Sequence, residues 1–255
     1  MAVIALTSAS GSPGVTTTAL SLALAWPRPV LLVEADPTGG AGILAGYFRG
    51  GVEYETGLLD LALSAYDVAD ELPRVARAIK DTQVSYVAGT RTHAQAAALR
   101  DRWSDLAIAL ADLEETGQDA IVDAGRLGLV GSPAPLLAAA DLSLLLVRSD
   151  LPALAAARSW AETIRDPVDG WAHPAVLLVG EGMPYVSGEV SRVLGLRVLA
   201  ELPDDPISAA VHHRGTVPPR HFATGTYTRA IRATAAVIQS DISHARLALS
   251  REVVR

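Results

Sequence analysis

Apolar residues in this chain gather in short, nearly unbroken runs: Val3–Thr7, Val30–Ala35, Val84–Ala88, Ala120–Val122, Leu142–Val147, Val176–Val179 and Val198–Leu202. A run that is apolar at successive rather than alternate positions predicts a strand covered on both faces. Between the runs lie stretches with apolar residues at helical spacing: Val15–Ala25, Val68–Ile79, His93–Glu115, Pro152–Ile164, Ser187–Leu194 and Tyr227–Leu249. This alternation predicts an α/β fold, a three-layer αβα arrangement around a mostly parallel, twisted sheet of about seven strands. Right-handed crossovers then bring all the strand C-termini to one edge, where ligands bind in such sheets. The Pro/Gly-rich pieces at 37–42, 128–135 and 215–219 are of loop length, and the alternation continues across them. A single domain over residues 1–255 is expected.

Composition narrows the function classes. Half of the 255 residues are apolar and 19% are charged, which excludes disordered and collagen-like chains. No cysteine is present, so thiol catalysis, zinc–cysteine sites and disulfide scaffolds are excluded. The formal net charge of −7 disfavours a DNA-coating protein. Residues 201–255 nevertheless carry 7 basic and 5 acidic side chains, which leaves open a weakly basic C-terminal face. The apolar start, Ala2–Leu6, is too short for a signal peptide, and Asp141 breaks the longest apolar stretch, Leu136–Val147. A cytoplasmic location is expected. Lys80 is the only lysine, beside 20 arginines.

The first predicted strand runs into Ser8-Ala9-Ser10-Gly11-Ser12-Pro13-Gly14-Val15-Thr16-Thr17-Thr18 and then a helix. A strand, a glycine-containing loop and a helix N-terminus together form a cradle for phosphate, with backbone N–H groups and the helix dipole facing the anion. Thr16 and Thr17 place hydroxyls in the first helical turn. A plain glycine turn is the competing reading of this segment. Two acidic positions, Asp36 and Asp123, follow other predicted strands and so fall on the same edge. One such carboxylate can hold Mg²⁺ and another can orient water; each can equally serve as a turn former or cap.

With these segments in order, the chain resembles the ParA/MinD family of P-loop ATPases, the group with a deviant phosphate-binding loop. The family loop K-G-G-x-G-K-[ST]-T aligns with Ser10 to Thr17, and D-x-D-P-x-G-[GN] with Glu34-Ala35-Asp36-Pro37-Thr38-Gly39-Gly40. Asp119 to Asp123 matches the D-x-x-x-D strand, and Ala124-Gly125 the switch after it. Leu194 to Asp205 resembles the family's L-G-x-x-V-L-G-x-I-P-x-D segment. The resemblance implies ATP or ADP with Mg²⁺ as cofactor, bound through Gly11, Ser12, Gly14, Val15, Thr16 and Thr17. It implies Thr16 and Asp123 as Mg²⁺ ligands and Asp36 as the catalytic-switch carboxylate. It further implies a homodimer and a protein partner within a larger assembly. Resemblance to the TadZ/CpaE branch suggests positioning of a larger assembly such as a pilus or secretion machine.

The chain departs from that pattern at the cations. Val15 stands where the family has its phosphate-binding lysine and Ser10 where it has its signature lysine. Pro13 lacks an N–H, and Gly180-Glu181 replaces the Asn-Arg pair that many members place at the adenine. A charge-assisted hydrogen bond contributes about 1.5–3 kcal/mol. Two missing lysine contacts would thus weaken binding by roughly 10²–10⁴-fold. The helix N-terminus returns up to about 2 kcal/mol toward an anion. A pseudo-ATPase or feeble ATPase acting as a scaffold is therefore expected. An active ATPase with an atypical loop and a nucleic-acid module using the C-terminal third remain alternatives. Arg126 and Arg148, after strand ends, are candidates to replace the lysine.

Three other features of the sequence bear on function. His212, His213 and His221 lack metal-ligand spacing and are expected to be loop histidines. Ser132 and Ser187 lack a G-x-S-x-G frame. Ile242, Ala245, Leu249 and Val253, flanked by Arg246, Arg251 and Arg255, form an apolar stripe that suits a terminal helix packed on the domain, or one lying peripherally on a membrane.

Overall fold

The computed structural model describes residues 2–10, 12–113 and 117–253, the last five of these by backbone only. Eight strands form one sheet: β1 Val3–Ser8, β2 Val30–Glu34, β3 Arg77–Ala78, β4 Val84–Val87, β5 Asp119–Arg126, β6 Leu142–Arg148, β7 Pro174–Val179 and β8 Val198–Leu202. Their order across the sheet is β3-β4-β2-β5-β1-β6-β7-β8. Every neighbouring pair is parallel except the edge pair β3–β4.

Two layers of helices cover the sheet. On one face lie α1 (Val15–Ala25), α2 (Gly42–Ala45) and α11 (Thr226–Val253). The other face carries α3 (Leu58–Leu63), α4 (Val68–Val75), α6 (Trp103–Ala111), α7 (Ala134–Ala139), α8 (Leu151–Ile164) and α9 (Ser187–Leu194). Two short helices, α5 (His93–Ala96) and α10 (Pro206–His213), complete the set. The unbroken apolar runs follow from this sandwich. In β6, Leu142, Leu144 and Leu146 face the α1/α11 layer, while Leu145 and Val147 face the other. Each such buried aliphatic side chain contributes roughly 1.5–3 kcal/mol.

The expected three-layer arrangement around a mostly parallel sheet is found; its eighth strand is Arg77–Ala78, which pairs antiparallel with β4. Two helix expectations need correction. The predicted helix Val68–Ile79 stops at Val75, where Ala76 turns extended (ψ 134°) and the chain enters the β3 pairing at Arg77–Ala78. The predicted helix His93–Glu115 is instead α5, a 3-10 segment at Ala97–Arg102 and α6; its end at Glu115 lies outside the described residues. Periodicity had carried through the 3-10 turn because Leu99 and Trp103 both point to the core.

Of the terminal stripe, Ile242 is buried and Ala245 half-buried. Ile231, Ala235, Ile238 and Ile242 of α11 are buried against the sheet, and Arg246 pairs with Asp141 at 2.8 Å. The side chains of Leu249, Arg251, Val253 and Arg255 lie outside the described residues. No described helix is long and apolar enough to cross a membrane.

Candidate functional site

The C-terminal edge of the sheet opens into a cleft of about 640 Å³. Residues of the loop between β1 and α1 form one side. Asp36, Gly125 and Arg126 border it, and Leu202 to Pro206 with Tyr227 close the far side. The volume lies within the range of small-molecule sites.

The loop places its predicted residues as follows. Gly11 lies outside the described residues. Ser12 takes a left-handed conformation at φ 48°, and Gly14, at φ 93°, caps α1. The first described helical bond of α1 is Thr18 N–H to the Gly14 carbonyl, at 2.8 Å. The amides of Val15, Thr16 and Thr17 precede it, at the end of the helix where donors lack intrahelical acceptors. Ser12, Gly14, Thr16 and Thr17 all line the cleft. Val15 also borders it, but its side chain is 7% exposed and packs in the core. Ser10 is half-buried and does not line the cleft. The lone lysine, Lys80, is exposed in the β3–β4 turn, at the opposite edge of the sheet.

Three carboxylates lie in or just after the central strands β2 and β5. Asp123 on β5 is fully buried; its Oδ1 accepts from the Gly125 amide at 3.0 Å, and its Oδ2 has no hydrogen-bond partner among the described residues. Burial pushes its pKa from 3.8 up to about 7, with Asp36 and Glu34 adding to the rise and the Thr16 hydroxyl opposing it. Asp36 accepts from the Thr38 amide at 2.8 Å and lies directly on the backbone of Gly125, where a Cβ would come within 2.3 Å of its Cγ. Glu34 is buried and accepts from the amides of Ile43 and Gly89, each at 3.1 Å. Burial raises its pKa as well. Glu34 therefore braces the loops around the cleft, a role that sequence reading did not give it.

The cations are arranged unevenly. Arg148, at the end of β6, is ion-paired with Asp204. Arg126, at the end of β5, is exposed and borders the cleft with no partner among the described residues. Sequence reading also missed Tyr227, whose hydroxyl shares a hydrogen bond with Ser21 of α1 at 2.9 Å. No local pattern signals a partner so distant along the chain. Contrary to the expectation of loop histidines, His212 and His213 lie in α10, and His212 packs among the rings of Tyr47, Phe222 and Tyr227, where burial lowers its pKa to about 4.

The buried, unpartnered Asp123 oxygen beside Thr16 suits a hydrated Mg²⁺, and the cradle suits phosphate. Among the described residues no group of three or more His, Asp or Glu side chains can hold a metal. A divalent ion here would need phosphate oxygens as further ligands. The fit is incomplete at Val15, where an aliphatic group replaces a cation.

No protein-family model matches the chain, and no curated protein matches it significantly. Solved structures do. The cell-division ATPase MinD of Pyrococcus furiosus is 18% identical with a TM-score of 0.72, covering 94% of this chain and 98% of its own. MinD of Pyrococcus horikoshii, solved with Mg-ADP, is 18% identical with a TM-score of 0.70, covering 92% and 94%. A ParA-family ATPase of Chlorobium tepidum is 16% identical with a TM-score of 0.70, covering 92% and 98%. These superpositions extend over nearly the whole chain: it has the ParA/MinD-like P-loop fold.

Proposed function

We propose that the protein is a ParA/MinD-like positioning protein that binds Mg²⁺–ADP or Mg²⁺–ATP weakly and hydrolyses ATP feebly or not at all. One observation carries this reading: the first helical position of the cradle holds Val15, its side chain buried in the core, and Lys80 lies at the far edge. Gly14, Thr16 and Thr17 would hold phosphate and Thr16 with Asp123 the metal, whose charge offsets that of the phosphates. Asp36 would orient water. What is missing is the lysine charge that stabilises the transition state of phosphoryl transfer, a contribution of roughly 10²–10³-fold for one lost donor.

With hydrolysis reduced, the protein would act as a cytoplasmic scaffold for a larger bacterial assembly of the pilus or secretion type. It would bind a protein partner and form a homodimer that does not depend on nucleotide, since Ser10 cannot reach across as a lysine would. The test is steady-state ATP turnover with Mg²⁺ by the natural protein and by Val15→Lys, with solution mass measured with and without nucleotide. Turnover at least about a hundredfold faster in the variant is expected. Brisk turnover by the natural protein refutes the pseudo-enzyme reading. It would favour the second reading, an active positioning ATPase, which the retained Thr16–Asp123 geometry supports.

The nucleic-acid alternative gains little support. Asp141 engages Arg246, and Arg232 reaches the Ala223 carbonyl at 3.3 Å, so part of the basic C-terminal third is engaged within the fold.

A further inference from the structure

We infer that Arg126 is the cationic anchor of the cleft, supplying from the end of β5 the positive charge that the loop before α1 lacks. This rests on the nucleotide-binding reading above and deepens it by naming the group that meets the phosphates.

The charges bordering the cleft support this assignment. Two arginines and three carboxylates (Asp36, Asp204 and Asp205) line it among the described residues. Asp204 compensates Arg148 in an ion pair, both groups about one-third exposed. Asp205 is occupied as the cap of α10, accepting from the Ser208 amide at 3.0 Å and the Ser208 hydroxyl at 2.6 Å. Arg126 has no such partner. It is the uncompensated arginine on the wall, and a desolvated anion in the cleft would draw it in.

Its backbone is fixed where such a role requires. Arg126 pairs with Ser8 across the β1–β5 ladder, and the next amide, Leu127 N–H, donates to the Ser8 carbonyl at 2.9 Å. Arg126 is thereby tied to the strand end from which the phosphate loop departs. The preceding Gly125 lies under the Asp36 carboxylate, and the Thr7 hydroxyl donates to the Gly125 carbonyl at 3.0 Å. The guanidinium thus springs from a braced corner on a long, solvated stem. Binding of phosphate and ordering of the β5–α7 loop are coupled through it, an arrangement distinct from a lysine set within α1.

The test is calorimetric titration of Mg²⁺–ADP into the natural protein and into Arg126→Gln, Arg126→Lys, Val15→Lys and Arg126→Gln/Val15→Lys. Each is measured at about 0.1 M and about 0.5 M salt to separate contact from screened long-range attraction. Arg126→Gln should weaken binding roughly ten- to a hundredfold at both salt concentrations, with Arg126→Lys in between. Adding Val15→Lys should restore the lost affinity, because either cation can meet the same anion. Arg126 is exposed, so thermal melts of its variants should match the natural protein. If the natural protein binds and Arg126→Gln binds equally well, or loses affinity only at low salt, the anchor assignment falls while the nucleotide reading stands. If the natural protein shows no binding at millimolar Mg²⁺–ADP or Mg²⁺–ATP, both fall.

Discussion

Asp123 and His212 should make opposite contributions to stability across the same pH range, and single substitutions should uncover each. Asp123 is held protonated by burial, with a pKa of about 7 against an ordinary 3.8. The folded state therefore binds the extra proton; the stabilisation is complete below pH 3.8 and is lost as pH rises through about 7. The difference corresponds to about 4 kcal/mol. His212 is held neutral, at about 4 against 6.5. Its contribution is complete above pH 6.5 and is lost as pH falls toward 4, about 3 kcal/mol in all. The two slopes oppose each other between pH 4 and 6.5 and largely cancel, so what the natural protein retains there is the fall with pH from Glu34, whose pKa burial also raises. Asp123→Asn removes the falling slope. Relative to the natural protein, the stability of the variant should therefore rise from pH 4 to 6.5. At pH 8 the variant should melt higher than the natural protein, by as much as roughly 8–16 °C if the full 4 kcal/mol is realised. His212→Phe, which keeps a ring among Tyr47, Phe222 and Tyr227, should instead show stability falling from pH 4 to 7. Thermal unfolding followed by circular dichroism from pH 4 to 8 reads all three. An Asp123→Asn profile parallel to that of the natural protein, or a lower melting temperature at pH 8, would refute the assignment of a buried, protonated carboxyl. Asp123→Asn should also abolish Mg²⁺-dependent binding, trading a site for stability.

Two further substitutions probe the frame around the cleft. Asp119 is fully buried at the opposite edge, where it accepts from the Ala2 amide at 2.6 Å, the indole of Trp26 at 2.7 Å and Arg28 at 2.6 Å. Asp119→Ala should cost about 3–5 kcal/mol in urea unfolding, from uncompensated buried donors, and leave Mg²⁺–ADP affinity unchanged. Gly125 has φ 62°, and a Cβ there would lie 2.3 Å from Asp36 Cγ. Gly125→Ala should therefore displace Asp36 from the cleft and cost roughly 1–3 kcal/mol; an unchanged urea midpoint would show that the two groups do not press on each other.

Much of this architecture was written in the chain. Apolar runs such as Val30–Glu34 carry residues for both faces, because both faces are covered, and that pattern alone marks a parallel sheet between helices. The shared edge of Gly14, Thr16, Asp36 and Asp123 follows from strand–helix alternation, since each crossover returns the chain to the same side. The replacement of a cation by Val15 is a matter of residue identity and needs no coordinates. Local reading failed where neighbours along the sequence did not decide the outcome. Arg77–Ala78 is a strand because β4 offers it an edge, and the 3-10 turn at Ala97–Arg102 keeps Leu99 and Trp103 in the core despite breaking the helix.

The finer chemistry of the cleft was decided in three dimensions. Arg126 and Arg148 look equivalent in sequence, each following a strand; Asp204, 56 residues away, pairs with one and leaves the other uncompensated. Asp123 reads as an ordinary carboxylate until β1, β2 and α1 close over it and remove its water. Glu34 became a brace because the amides of Ile43 and Gly89 converge on it. Periodicity reports which face of an element is buried, since that depends on the element's own repeat. Charge compensation and desolvation depend on groups brought together from distant parts of the chain, and only the folded arrangement specifies those.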